Sequence, residues 1–172
     1  MCGFFGLQSY ELDTSEKITL SRKAIDLLHS RGPDSNDLAL DDNNNLIFCH
    51  NRLSILDLSP MGNQPMKSAS GNLLMIYNGE IYNHISIREE LKNTNNFVSW
   101  KGTSDTETLI QAVEIWGLEK TLQKINGMFS FAIWNRKLKS LYLARDRFGE
   151  KPLYYGWIPQ NKSFVFSSDL IF

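Results

Sequence analysis

The chain opens Met1-Cys2-Gly3-Phe4-Phe5-Gly6-Leu7. From Cys2 to Leu7 this reads as a short apolar strand that starts at the N-terminus itself, with a thiol on its second residue. Any fold for this chain has to take its first residues inside. Further strands are predicted over Leu38 to Leu40 and Leu46 to His50, flanking an Asp/Asn-rich tip from Asp41 to Asn45, and over Leu73 to Tyr77, where Asn78-Gly79 breaks the run. Thr14 or Ser15 caps a helix with Ile18, Ile25 and Leu28 on one stripe, and Arg31-Gly32-Pro33-Asp34 ends it as a turn. Asn83 caps a short helix through Leu91. Asp105 caps a better one, with Leu109, Ala112, Val113 and Trp116 at helical spacing and Gly117 as the stop. A further short helix runs from Leu118 to Ile125. Beyond it lie strands over Met128 to Trp134, Ser140 to Ala144, Leu153 to Trp157 and Phe164 to Ser167. Strands outnumber helices, and the helices cluster in the first two-thirds. That pattern predicts an α+β layered domain rather than an alternating βαβ fold.

The 172 residues fit one domain, and 42% hydrophobic residues suffice for a core. A net charge of −1 argues against a nucleic-acid binder. No stretch approaches the ~20 apolar residues of a membrane span, and the N-terminus lacks the basic and apolar regions of a secretory signal. Two cysteines, Cys2 and Cys49, are too few for a disulfide framework or a zinc cluster, so a reducing cytoplasm is expected.

Once Met1 is removed, Cys2 carries a thiol and a free α-amino group on one residue. An α-amino group titrates near ~7.7–8.0, so it is a base able to take the thiol proton near neutral pH. Gly3 removes bulk beside it. A cysteine hydrolase also needs donors for a developing oxyanion, and Asn78 with the Gly79 backbone offers a side-chain amide and an N–H, although on this dipeptide alone a plain hairpin turn is the stronger reading. An amino-acid substrate would have its carboxylate clamped by Arg52 and its ammonium taken by Glu80 or Asp105. Taken singly, Arg52 reads better as a surface charge at a strand end, and Asp105 better as a helix cap, with Ser104 and Thr103 as rivals.

These segments occur in one order, together with Arg52-Leu53-Ser54-Ile55-Leu56-Asp57, Tyr77-Asn78-Gly79-Glu80-Ile81-Tyr82-Asn83, Thr103-Ser104-Asp105-Thr106-Glu107, Asn126-Gly127-Met128-Phe129-Ser130-Phe131-Ala132 and Arg145-Asp146-Arg147-Phe148-Gly149-Glu150-Lys151-Pro152-Leu153-Tyr154. As an ordered set they resemble the class II glutamine amidotransferase domain of the asparagine synthetase family. The resemblance spans nearly the whole chain, residues 1–172. It implies a four-layer αββα sandwich of the N-terminal nucleophile hydrolase type and hydrolysis of L-glutamine to glutamate and ammonia. It implies that Cys2 is nucleophile and base donor, that Asn78 and the Gly79 backbone form the oxyanion hole, and that Arg52 clamps the glutamine carboxylate. Backbone from Leu53 through Ser54 and Ile55 to Leu56 would line the pocket, with Glu80 and Asp105 as ammonium ligands. The family usually has His before Arg-Gly-Pro-Asp, where this chain has Ser30.

In the family an ATP-dependent synthetase domain follows. It is absent from these residues, which are expected to be an excised part of a longer protein, with that domain as partner in cis or in trans. ATP and magnesium are expected only there. No cofactor or metal is expected in this chain, and it contains no Gly-rich phosphate loop. A homodimer stays open. Three other readings compete. They are a catalytically silent module that keeps Met1, an amide donor for a sugar-modifying relative, and an N-terminal cysteine hydrolase for another amide. His29, His50 and His84 lack metal-ligand spacing, and Cys49 is expected to be a buried, inert thiol. The tryptophans are expected in the core or at an interface, and the Arg145–Tyr154 segment is given no chemistry.

Overall fold

The computed structural model of the chain describes residues 1–41, 43, 45–97 and 99–170. Among the described residues nine strands form two antiparallel sheets. The five-stranded sheet has the order β2 (Ser35–Asp41), β3 (Leu46–Arg52), β1 (Gly3–Gln8), β9 (Ser163–Ser167), β8 (Tyr154–Ile158). The four-stranded sheet has the order β4 (Met66–Lys67), β5 (Leu73–Ile81), β6 (Gly127–Asn135), β7 (Ser140–Arg145). Helix α1 (Thr14–Leu27) packs on the first sheet, and α2 (His84–Lys92), α3 (Asp105–Trp116) and α4 (Leu118–Lys124) belong to the second.

Side-chain alternation assigns each strand's two faces. Phe4 of β1 and Leu46 and Phe48 of β3 point at the other sheet, where Leu74, Ile76, Ala132 and Trp134 meet them. Phe5, Leu7, Ile47 and Cys49 point the other way, onto Ala24 and Leu28. Met75, Tyr77, Phe129, Phe131 and Ile133 face Leu109, Ile110 and Val113 of α3. Three apolar layers between four layers of structure make an αββα sandwich, as expected.

Several local readings need correction. The cap of α1 is Asp13, whose carboxylate accepts from Glu16 N while Glu16 reaches back to Asp13 N. This capping box outcompetes Thr14 and Ser15. Ser104, not Asp105, caps α3, its Oγ accepting from Glu107 N at 3.2 Å. Asn83 holds the cap position of α2, but its side chain donates to Lys124 O and accepts from Asn126 N instead. Asn78-Gly79 does not break β5. The strand continues to Ile81 because Gly79 and Ile81 are paired with Phe129 and Gly127 of β6. A Cβ on Gly79 would strike the Met128 carbonyl and one on Gly127 the Glu80 carbonyl, so the two glycines permit a close approach that a turn does not use. Residues 42 and 44 of the expected Asp/Asn-rich tip lie outside the described residues, as do 171 and 172.

Phe131 is fully buried and stacks on Phe129 at 5.6 Å between centroids. Phe131→Ala is expected to cost about 3–5 kcal/mol, read as a lower urea midpoint with an unchanged slope.

Candidate active site

The sandwich brings the start of β1, the end of β3 and the latter half of β5 to one edge. A cleft of about 200 Å³ opens there, lined by Cys2, Arg52, Leu53, Ile55, Leu56, Asn78, Gly79, Glu80 and Asp105 among others. Of the residues singled out from sequence, only Ser54 stays outside the lining; its N–H donates to the Asp34 carboxylate at 2.7 Å.

Cys2 is held from two sides. The Leu53 N–H donates to its Sγ at 3.3 Å, and the Arg31 Nε donates to its carbonyl at 3.2 Å. Arg31 is in turn paired with Asp169 at 3.0 Å. Burial pushes the Cys2 thiol above its ordinary value. The Leu53 hydrogen bond, the α-amino group of Met1 and the Arg52 charge pull it back, and Asp105 pushes further up.

Asn78 is 2% exposed, and its Nδ2 has no hydrogen-bond partner among the described residues. A buried amide donor without an acceptor costs roughly 1–3 kcal/mol, and Asn78 is one of the residues that line the cleft. It is held in place through Tyr77. Tyr77 N donates to Gln64 Oε1 at 2.6 Å, and Tyr77 O is 3.1 Å from His50 Nε2. Burial lowers the His50 imidazole to about 4, so at neutral pH it is uncharged and the donor to that carbonyl. Tyr77 is legible in the sequence only as the first residue of the Tyr77–Asn83 segment, and Gln64 carries no sequence signal.

On the opposite wall, Asp105 is the first residue of α3. Its Oδ2 accepts from the Tyr77 hydroxyl at 2.6 Å and from Ile81 N at 2.9 Å, which ties α3 to β5. Burial first, and then the Asp105 carboxylate, raise the Tyr77 phenol well above its ordinary value, so it remains a donor. The helix start is further anchored by Arg88 of α2, which donates to Thr108 Oγ1, Gly102 O and Ser104 O and lies 4.1 Å from the Trp100 ring centroid. Nothing in the sequence pattern distinguishes Arg88 from an exposed helix charge.

The Arg52 guanidinium lines the cleft while donating to Ser59 O at 2.9 Å, to Asn63 Oδ1 at 2.7 Å and to Asp57 O. It therefore braces the 53–63 loop in addition to facing the cavity. Asp57 ties the same loop to α3, accepting from Thr103 N at 2.7 Å. Its hydrogen bonds from Ser59 and Thr103 hold its carboxyl well below the usual range. Met1 and Lys151 also line the cleft, and neither was singled out from sequence. Among the described residues no His/Cys/Asp/Glu group is arranged to hold a metal ion, and no helix is long and apolar enough to cross a membrane.

Comparison with known proteins points the same way. A family model described as a glutamine amidotransferase domain matches residues 1–171. The chain is 35% identical over 173 residues to "Asparagine synthetase [glutamine-hydrolyzing] 3" of Bacillus subtilis, covering 99% of this chain and 27% of that protein. It is 36% identical over 153 residues to "Amidase chry2" of Gibberella zeae, covering 89% of this chain and 22% of that one. The chain thus spans about a quarter of the length of these curated relatives. Among solved structures, the glutamine phosphoribosylpyrophosphate amidotransferase of B. subtilis, complexed with ADP and GMP, superposes with a TM-score of 0.78. That alignment has 19% identity and covers 97% of this chain and 42% of that one, a likeness of fold.

In the folded chain carrying Met1, alkylation of Cys2 by iodoacetamide is expected to keep accelerating above pH 9.0, the ordinary thiol value, because burial raises the Cys2 pKa. Cys49, fully buried and pushed up to about 12, should stay unlabelled until the protein unfolds. Mass mapping of labelled peptides across pH checks both, and equal labelling of the two thiols at neutral pH contradicts the expectation.

Proposed function

Because this chain belongs to the glutamine amidotransferase domain family, we propose that it hydrolyses L-glutamine to glutamate and ammonia through Cys2. The observation that carries the reading is the pairing of a nucleophile with an unspent donor. Cys2 and Asn78 line one cleft, and the buried Asn78 Nδ2 has no hydrogen-bond partner among the described residues.

The proposed sequence starts with loss of Met1, which frees the Cys2 amine. That amine takes the thiol proton, and the thiolate attacks the side-chain amide carbon of glutamine. Asn78 Nδ2 and the Gly79 N–H receive the developing oxyanion, an interaction worth about 3–4 kcal/mol for a single donor. The carbon–nitrogen bond breaks, the amine's proton passes to the leaving nitrogen, and ammonia departs. Water then hydrolyses the γ-glutamyl thioester and restores the thiol. Arg52 takes the substrate carboxylate, while Asp105 and Glu80, which line the same cleft, take the ammonium. Leu53, Ile55 and Leu56 supply wall. This pairing of charges suits a free amino acid better than another amide.

The step uses only this chain's own groups. The identity to glutamine-hydrolysing asparagine synthetases supports delivery of the ammonia to an ATP- and magnesium-dependent amidation, by a synthetase domain in cis or in trans. Two free thiols fit a reducing cytoplasm. A chain that keeps Met1 has an amide nitrogen at Cys2 and no such base. Intact mass separates that silent form from the active one.

Cys2→Ala is expected to abolish glutamate release from glutamine; substantial turnover in that variant rules the mechanism out. Asn78→Ala should lower kcat by on the order of 10²–10³ with KM little changed, since the lost bond forms in the transition state. Steady-state kinetics showing a raised KM at the parent's kcat would remove Asn78 from this role.

A further inference from the structure

Lys151 is 6% exposed, and its Nζ reaches the thioether of Met1 at 3.1 Å. No carboxylate lies within ion-pair distance of it among the described residues. An ammonium largely removed from water without an anionic partner is costly, and such an arrangement calls for a function. The loop around it is firmly built. The Asp146 carboxylate accepts from the backbone N–H groups of Phe129, Phe148, Glu150 and Lys151. The Arg145 Nε donates to Lys151 O at 2.6 Å. Both the N–H and the carbonyl of Lys151 are thus tied, and the charge is aimed into the Cys2 cleft.

A role for this charge in turnover rests on the glutaminase reading, in which Met1 is removed. The departure of Met1 takes away the thioether, and the new α-amino group of Cys2 begins where Met1 was bonded. Several charged or titratable groups line the same cleft or contact Cys2. From the end of β3 comes Arg52, and from the turn after α1 comes Arg31, paired with Asp169. From β5 come Glu80 and the Tyr77 phenol, from α3 Asp105, and from the 145–153 loop Lys151. A bound α-amino acid would match its carboxylate to Arg52 and its ammonium to Glu80 and Asp105. In the cleft, Lys151 is then the cation left without a counterpart.

We propose that Lys151 is a positioning residue for the N-terminal base: its ammonium holds the proton off the Cys2 amine, keeping that amine neutral and able to accept the thiol proton. A neighbouring cation penalises the protonated amine and lowers its pKa, so removing the cation raises it. Glu80 and Asp105 act in the opposite sense until substrate covers them.

The test uses the Met1-free chain, verified by intact mass, with ¹³C-labelled cysteine. The NMR titration of Cys2 Cα reads the amine without turnover, and the acid limb of kcat/KM for glutamine reads it during turnover. Lys151→Met and Lys151→Gln are each expected to move both upward by about one pH unit, and Lys151→Arg to restore both. Two neutral variants are used so that a folding defect in one does not decide the outcome. Coincidence of the folded neutral variant with the parent in the Cα titration, or an equal displacement in Lys151→Arg, overturns the assignment. A parent that titrates as expected yet releases no glutamate overturns the glutaminase reading instead and leaves the role of the charge standing.

Discussion

The whole site depends on pinning the first strand of the chain at both edges. Chain termini fray unless tied down, and here β1 pairs with β3 on one side and β9 on the other. Phe4 is fixed further, its N–H donating to Ser168 Oγ at 2.9 Å and its carbonyl accepting from Ser168 N and Ser167 Oγ, each at 3.0 Å. With Phe4 buried between the sheets, the residue two positions earlier has little freedom left. A thiol on an untethered terminus would have to be ordered at each encounter with substrate. Here that entropy has been lost on folding.

The cleft's opposite walls are joined by polar contacts rather than apolar packing alone. Tyr77 spends its N–H on Gln64, its carbonyl on His50 and its hydroxyl on Asp105. One strand residue therefore fixes Asn78 beside it and sets the distance to α3 across the cleft. Arg88 and Asp57 hold the first turn of α3 from behind, one from α2 and one from the 53–63 loop. In such a network each member's geometry depends on the others, which is how a cleft built on strand ends and loops becomes stiff.

How much of this was legible in the sequence depends on how local each signal is. Strands with one face on each of two cores, such as Leu73 to Tyr77, show themselves as apolar runs, and the α1 and α3 stripes show themselves by spacing. Asn78-Gly79 misleads because turn propensity is local, whereas the pairing with β6 that overrides it comes from residues 127–135. Met66 and Lys67 form a strand too short to have a pattern. The cleft residues Cys2, Arg52, Asn78, Gly79, Glu80 and Asp105 are legible as an ordered family pattern, and the fold brings them together. The burial of Arg88 is not legible, nor is the place in the cleft of Lys151, although the Arg145–Tyr154 segment contains it, because a buried lysine or arginine looks in sequence like an exposed one until the surrounding structure is known.

The pairing of β1 with β9 also bears on how the molecule comes into being. The Phe4–Ser168 contact closes a loop of 164 residues. During synthesis the opening strand emerges first and finds β3 early, yet its second neighbour is not made until nearly all of the domain has left the ribosome. A long closure of this kind favours slow folding. The setting of Cys2 is therefore among the last parts of the domain to be completed, and a truncated nascent chain carries the thiol without the cleft around it.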